Sequence, residues 1–237
     1  MSKGLFILGT DTDVGKSVVT AGLVYLLRKA GYEATSFKAV QSGGIEEDGK
    51  LLAQDTQLVK DVAKLKEKQE LMTPYCFKPP VSPHLAARLE NIKISREKIL
   101  NSYQQLTDKY EYIVAEGAGG LVVPIINNDY FIYDLIKDLD LPVLIVGRAS
   151  VGTINHTTLT VKYAQQLGLK IRGIILNRYT DQVHEQDNIE TIKNTTDQEI
   201  ITVINDLEGF DPENSNYQSL RTEFESKLKI DRLLNLF

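Results

Sequence analysis

The chain is short of the residues that tie proteins together covalently or through metals. Its single cysteine, Cys76, has no partner for an internal disulfide. With no signal-peptide pattern either, this points to a reducing cytoplasm. Only three histidines occur, His84, His156 and His184, and none has metal-ligand spacing, which argues against zinc. Positive charge is also scarce. Lys and Arg total 27 against 32 Asp and Glu, a formal charge of −5. Such a balance excludes a general nucleic-acid-binding surface, although a local basic pocket is compatible with it. No stretch approaches 18 apolar residues, so no membrane span is expected.

What is present suits a globular enzyme. The 237 residues are 42% hydrophobic, enough for a sizeable core. Short apolar runs at 5–9, 35–40, 112–117, 142–147, 171–177 and 200–204 read as strands, several apolar almost throughout, as parallel strands covered on both faces are. Between them, 16–30, roughly 51–66, 95–109 and 152–167 read as helices. Gly31 and Gly168 close the first and last of these, and one or two more helices are expected over 217–236. The alternation implies an α/β fold: an open, mostly parallel sheet with helices on both faces. No internal repeat or linker divides the chain, so one domain over 1–237 is expected, with 206–216 its most loop-like run.

The chemistry concentrates in a few segments. In "GTDTDVGKS" (9–17), a strand runs into a helix through a loop ending in Gly15, Lys16 and Ser17. That is a P-loop arrangement. Backbone N–H groups face phosphates, Lys16 adds a point charge and Ser17 offers a hydroxyl to Mg²⁺. The usual early glycine is displaced by one residue, with Thr10 in its place and Gly9 before it. Asp11 and Asp13 are unexpected in a polyanion-binding loop. They read either as turn residues bonding loop N–H groups or as acids that compensate Lys16.

In "FKAVQSGG" (37–44), Lys38 ends a strand, where open α/β sheets bind ligands, unless it is an ordinary surface lysine. In "VAEGAGGLVVP" (114–124), Glu116 ends a buried strand and is placed like a Walker-B carboxylate, or else is a solvated acid beside a glycine-rich turn. Asp55 by itself reads as an exposed helix-face acid. Asn177 in "ILNRY" ends a strand, either as a turn residue or as a reader of a purine edge. "VGTINH" (151–156) opens a helix whose free N–H groups suit a carboxylate.

These segments, with "SPHLAA" and "GTINHTTLT", closely resemble dethiobiotin synthetases over residues 5 to about 178, with weaker agreement through "DPEN" (211–214). The resemblance implies a P-loop NTPase-like α/β domain, a homodimer, and ATP- and Mg²⁺-dependent closure of a cyclic urea on 7,8-diaminononanoate with CO₂. It makes Lys16 and Lys38 catalytic. The ATP site becomes Asp13, Val14, Gly15, Lys16, Ser17 and Val18, together with Asp55, Glu116, Gly117, Ala118, Gly119 and Asn177, the last reading the base. Ser17, Asp55 and Glu116 become the Mg²⁺ ligands. Thr12, Lys38 and Ser42 become substrate contacts, and Gly152 and Asn155 hold the substrate carboxylate from the neighbouring subunit.

The chain departs from the family pattern at Ala39, at Asn205 or Asp206, and at Asn188 or Ile189, where prolines and a tyrosine are expected. Two rivals share the fold. Cobyrinate amidotransferases need a glutaminase domain for which there is no room. Positioning ATPases of the partition and cell-division type carry an extra early loop lysine that "GTDTD" lacks.

Overall fold

A computed structural model describes residues 2–207, 210 and 216–237; "DPEN" (211–214) and most of the 206–216 loop lie outside them. The apolar segment Lys3–Gly9 forms strand β1, and the chain turns at the loop into helix α1 (Lys16–Lys29). Gly31, with φ 92°, follows the helix end as expected. Strand β2 (Ala34–Lys38) stops one residue before β3 (Val40–Ser42), so the run at 35–40 is not one strand. At Ala39 the chain leaves the main sheet, and β3 pairs instead with β6 (Tyr75–Phe77).

A hairpin, β4 (Ile45–Glu47) and β5 (Lys50–Leu52), then precedes α2 (Gln54–Ala63). The helix expected over 51–66 is therefore shorter. Leu51 and Leu52 pair with Glu46 and Ile45 across the hairpin rather than starting a helix. Helices α3 (Gln69–Met72), α4 (Pro83–Leu89) and α5 (Arg96–Thr107) lead to β7 (Tyr112–Glu116). Next come a small pair, β8 (Pro124–Ile126) and β9 (Tyr130–Phe131), and α6 (Ile132–Leu139). Strand β10 (Val143–Arg148), α7 (Thr153–Gln166), β11 (Ile171–Tyr179), α8 (Val183–Thr196), β12 (Ile200–Asn205), α9 (Gln218–Lys227) and α10 (Ile230–Leu234) complete the fold.

Among the described residues the main sheet has six strands in the order β12-β11-β10-β1-β7-β2, every pair parallel. Alternation along β1 splits the core in two. Leu5 and Ile7 pack with α1, α2, α9 and α10, while Phe6 and Leu8 pack with helices α4 to α8 on the other face. Among the described residues, no helix is long and apolar enough to cross a membrane.

Candidate functional site

In open parallel sheets, ligands bind outside the carboxyl ends of the strands. Here the ends of β1, β2 and β7, with the end of β11, surround a cleft of about 730 Å³. The register of the sheet fixes its polar floor, because Lys38 of β2 lies directly beside Glu116 of β7. Lys38 Nζ donates to Glu116 Oε1 at 2.7 Å and also pairs with the Asp55 carboxylate. Ser17 Oγ donates to the same Glu116 oxygen at 2.8 Å. The three oxygen-bearing residues singled out for Mg²⁺ thus converge, and the Lys38 ammonium joins them.

The loop is built around two glycines. Gly15 has φ 93°, and a Cβ there would stand 1.8 Å from Asn177 Nδ2. Gly9 lies under the Lys16 side chain; a Cβ on it would meet Lys16 Nζ at 2.8 Å and the Asp11 carbonyl at 2.7 Å. The displaced glycine therefore makes room for Lys16, whose Nζ donates to the Asp11 carbonyl at 2.9 Å. Asp11 behaves as a turn residue, its Oδ1 accepting from Thr12 N at 2.7 Å. Asp13 takes left-handed backbone, φ 58°, and its carbonyl accepts two bonds from the Arg148 guanidinium, at 2.9 and 3.2 Å.

Charge is distributed unevenly between the two lysines. Burial, with the Lys38 cation adding to it, pulls the Lys16 pKa down to about 8. Burial also works to lower the Lys38 pKa, but Asp55 and Glu116 outweigh it and hold that ammonium above the ordinary lysine range. Burial works to raise the Asp55 pKa, and Lys38 reverses this and holds it below the usual carboxylate range.

Most of the residues singled out in the sequence meet in this cleft: Thr12, Asp13, Gly15, Lys16, Ser17, Val18, Lys38, Ser42, Asp55, Glu116, Ala118 and Gly119. Val14 instead buries its side chain in the core, while its carbonyl accepts from Asn177 Nδ2 at 3.1 Å. Asn177 is buried beside the loop. Gly117 does not line the cleft; it lies against Phe6 and Ile132. Gly152 and Asn155, at the head of α7, are not brought into the cleft of their own chain.

Several lining residues escaped sequence reasoning. Gln41 and Arg178 lie inside "FKAVQSGG" and "ILNRY" but nothing in those segments singles them out, Gln54 has no motif of its own, and Pro80 to Pro83 form a wall at the head of α4. "SPHLAA" was the one signal for that wall. Asn188, one of the two positions at which a tyrosine was expected, is buried and donates to the carbonyls of Ala149 and Ser150, just before α7.

The parallel sheet, the loop closing β1 and the lysine folded over that loop define a P-loop NTPase. A family model described as "AAA domain" matches residues 3–214. A protein of Clostridium kluyveri (strain NBRC 12016) named ATP-dependent dethiobiotin synthetase BioD is 46% identical over 237 residues, covering 99% of this chain and 98% of that protein. The protein of the same name from Clostridium novyi (strain NT) is 45% identical over 229 residues, 95% of this chain and 94% of its own. The chain belongs to the dethiobiotin synthetase family. A ParA family ATPase from Chlorobium tepidum TLS superposes over 100% of both chains with a TM-score of 0.58 at 15% identity, a likeness of fold alone.

Proposed function

We propose that the chain is a cytoplasmic, homodimeric ATP-dependent dethiobiotin synthetase, working as one unit over 1–237. It converts 7,8-diaminononanoate, CO₂ and ATP to dethiobiotin, ADP and phosphate. The observation that carries this reading is the meeting of Lys38, Glu116, Asp55 and Ser17 beside the Lys16 loop, in a chain 46% identical to a relative of that name.

CO₂ adds to an uncharged amine of the substrate and the nitrogen's proton leaves, giving a carbamate anion. A carbamate oxygen attacks the γ-phosphorus, and ADP departs, leaving a carbamic–phosphoric anhydride. The second amine then attacks the anhydride carbon, expels phosphate and closes the ring. The first attack brings two anions together, so fixed positive charge and positioning are the main demands. Lys16 and the loop N–H groups hold the triphosphate. Lys38 stands between the nucleotide and the substrate and balances charge on both. Thr12 and Ser42 contact the amine end, and Asn177 contacts the base.

The donor set fits Mg²⁺, a hard cation that prefers one or two carboxylates together with phosphate oxygens. Among the described residues, no group of three or more His, Cys, Asp or Glu is placed to hold a metal alone. Ser17, Asp55 and Glu116 would therefore share it with the nucleotide, and when bound it neutralises phosphate charge.

The α7 head supports a shared site. No side chain caps it, its first turn carries no acid, and Val151 beside it is 86% exposed. A substrate carboxylate from a second copy would satisfy the N–H groups around Gly152 to Asn155. Mass spectrometry of the product from diamine, bicarbonate and ATP tests the whole reading. Formation of dethiobiotin, with ATP turnover that needs both other substrates, is expected. ATP hydrolysis indifferent to diamine and bicarbonate would instead indicate a positioning ATPase.

A further inference from the structure

Gln41 is almost fully buried, at 4% exposure, yet it lines the cleft. Its Oε1 accepts from the backbone N–H of Asp55 at 3.2 Å. Asp55 sits in the first turn of α2, whose N-cap residue, Ala53, has no side chain able to cap it. Gln41 therefore does the capping from a different element and fixes the backbone from which the Asp55 carboxylate reaches Lys38.

The orientation of the amide follows. Because the group at Asp55 is a donor, only the oxygen of Gln41 can face it. The NH₂ must point the other way, where none of the described residues accepts from it. Its chain neighbour Ser42 lines the same cleft and has a buried hydroxyl with no hydrogen-bond partner. Two adjacent residues thus offer unused polar groups in the cleft that Lys38 also lines. Buried polar groups are rarely left unpaired, so the Ser42 hydroxyl, with the Gln41 NH₂ next to it in the chain, marks a place for a ligand oxygen.

We propose that Gln41 is a substrate-contacting and positioning residue: its amide N–H donates to an oxygen of the substrate carbamate while its carbonyl holds Asp55 in place. The proposal rests on the synthetase reading above. A neutral donor suits the carbamate because it stabilises the anion without protonating it. Holding Asp55 and the carbamate with one planar group also keeps the distance between the Asp55 backbone and the reacting oxygen constant.

Two variants separate the roles. Gln41→Met removes donor and acceptor. Gln41→Glu keeps an acceptor for the Asp55 N–H and deletes the donor. For both, kcat/KM for the diamine is expected to fall tenfold or more, as for about one hydrogen bond to a charged group, while the KM for ATP stays within about twofold. Only Gln41→Met is expected to lower the thermal midpoint and raise the Mg²⁺ requirement. A Gln41→Glu protein with wild-type kcat/KM for the diamine would overturn the substrate contact. So would a Gln41→Met defect confined to stability and Mg²⁺ requirement. Failure of the wild-type protein to form dethiobiotin would overturn the synthetase reading, and this proposal with it.

Discussion

Replacing Lys38 by Met should lower thermal stability and turnover while tightening divalent-metal binding. The ammonium stands 2.7 Å from Glu116, whose side chain is 2% exposed, and also bridges to Asp55, whose side chain is 36% exposed. Methionine keeps most of the stem's packing and deletes the charge. Breaking a buried pair by removing one partner costs about 3–5 kcal/mol, because the remaining charge is left uncompensated. For a chain of this size that is roughly 6–20 °C in Tm. The openness of Asp55 admits water to the site and favours the lower half of that range.

With the competing ammonium gone, the same carboxylates are free for a divalent ion. The nucleotide-free variant should therefore bind Mn²⁺ more tightly than wild type, read by titration calorimetry or electron spin resonance. Added Mg²⁺ should return part of the lost Tm. On the proposed mechanism turnover should fall as well, because Lys38 would be the fixed cation between carbamate and γ-phosphate, and one such preorganised group is worth about 10²–10³ in kcat. A variant as stable as wild type that binds Mn²⁺ no better would refute the buried-pair argument. A change in kcat of less than about threefold, roughly 0.7 kcal/mol, would remove Lys38 from the chemistry.

Lys16 gives a pH test. Its pKa is about 8 in the nucleotide-free protein, and a bound triphosphate must raise it. ATP binding at about pH 8.5 should therefore take up a proton at this residue, and the uptake should vanish near pH 6.5, where Lys16 is already charged. Calorimetry in buffers of different ionisation enthalpy reads it directly, and uptake that is equal at both pH values, or unchanged in Lys16→Met, would contradict the assignment. The dimer is tested on the exposed face of α7, where Leu159 is 61% exposed. Leu159→Glu should give monomers in sedimentation and a raised KM for the diamine with ATP binding intact; an active monomer at assay concentration would end the shared-site reading.

How far these features could be read from the sequence follows from what each depends on. Strand β1 and the loop after it were legible because the apolar run at 5–9 is followed, across a short polar loop, by Gly15, Lys16 and Ser17, a local pattern. The main-sheet parts of all six strands were visible for the same reason. Helix α8 was not foreseen: its sequence, VHEQDNIETIKNTT, is mostly polar and shows little helical periodicity. The pair Leu51 and Leu52 misled because it stands seven residues from Leu58 and Val59, a helical spacing that the hairpin overrides. Asp55 looked ordinary alone, since nothing local says that α2 begins beside β2. Gln41 was invisible, as its partner is supplied by another element. The register of β2 on β7, which brings Lys38 to Glu116, is likewise a product of the whole sheet.

The strand order also bears on how the chain is made. Strand β1, which carries the nucleotide loop, lies between β7 and β10. Phe6 therefore has its neighbours Ala115 and Val143 supplied only on the order of a hundred residues later. At about 5–20 residues per second of synthesis, β1 waits roughly 5–20 s before either flank exists. During that time Leu5, Phe6, Ile7 and Leu8, each with 0% exposure in the finished fold, have no sheet to enter. The segment translated ahead of every other strand thus gains its second sheet neighbour only when β10 is made, and until then α1 is the part of its surroundings already present to cover Leu5 and Ile7.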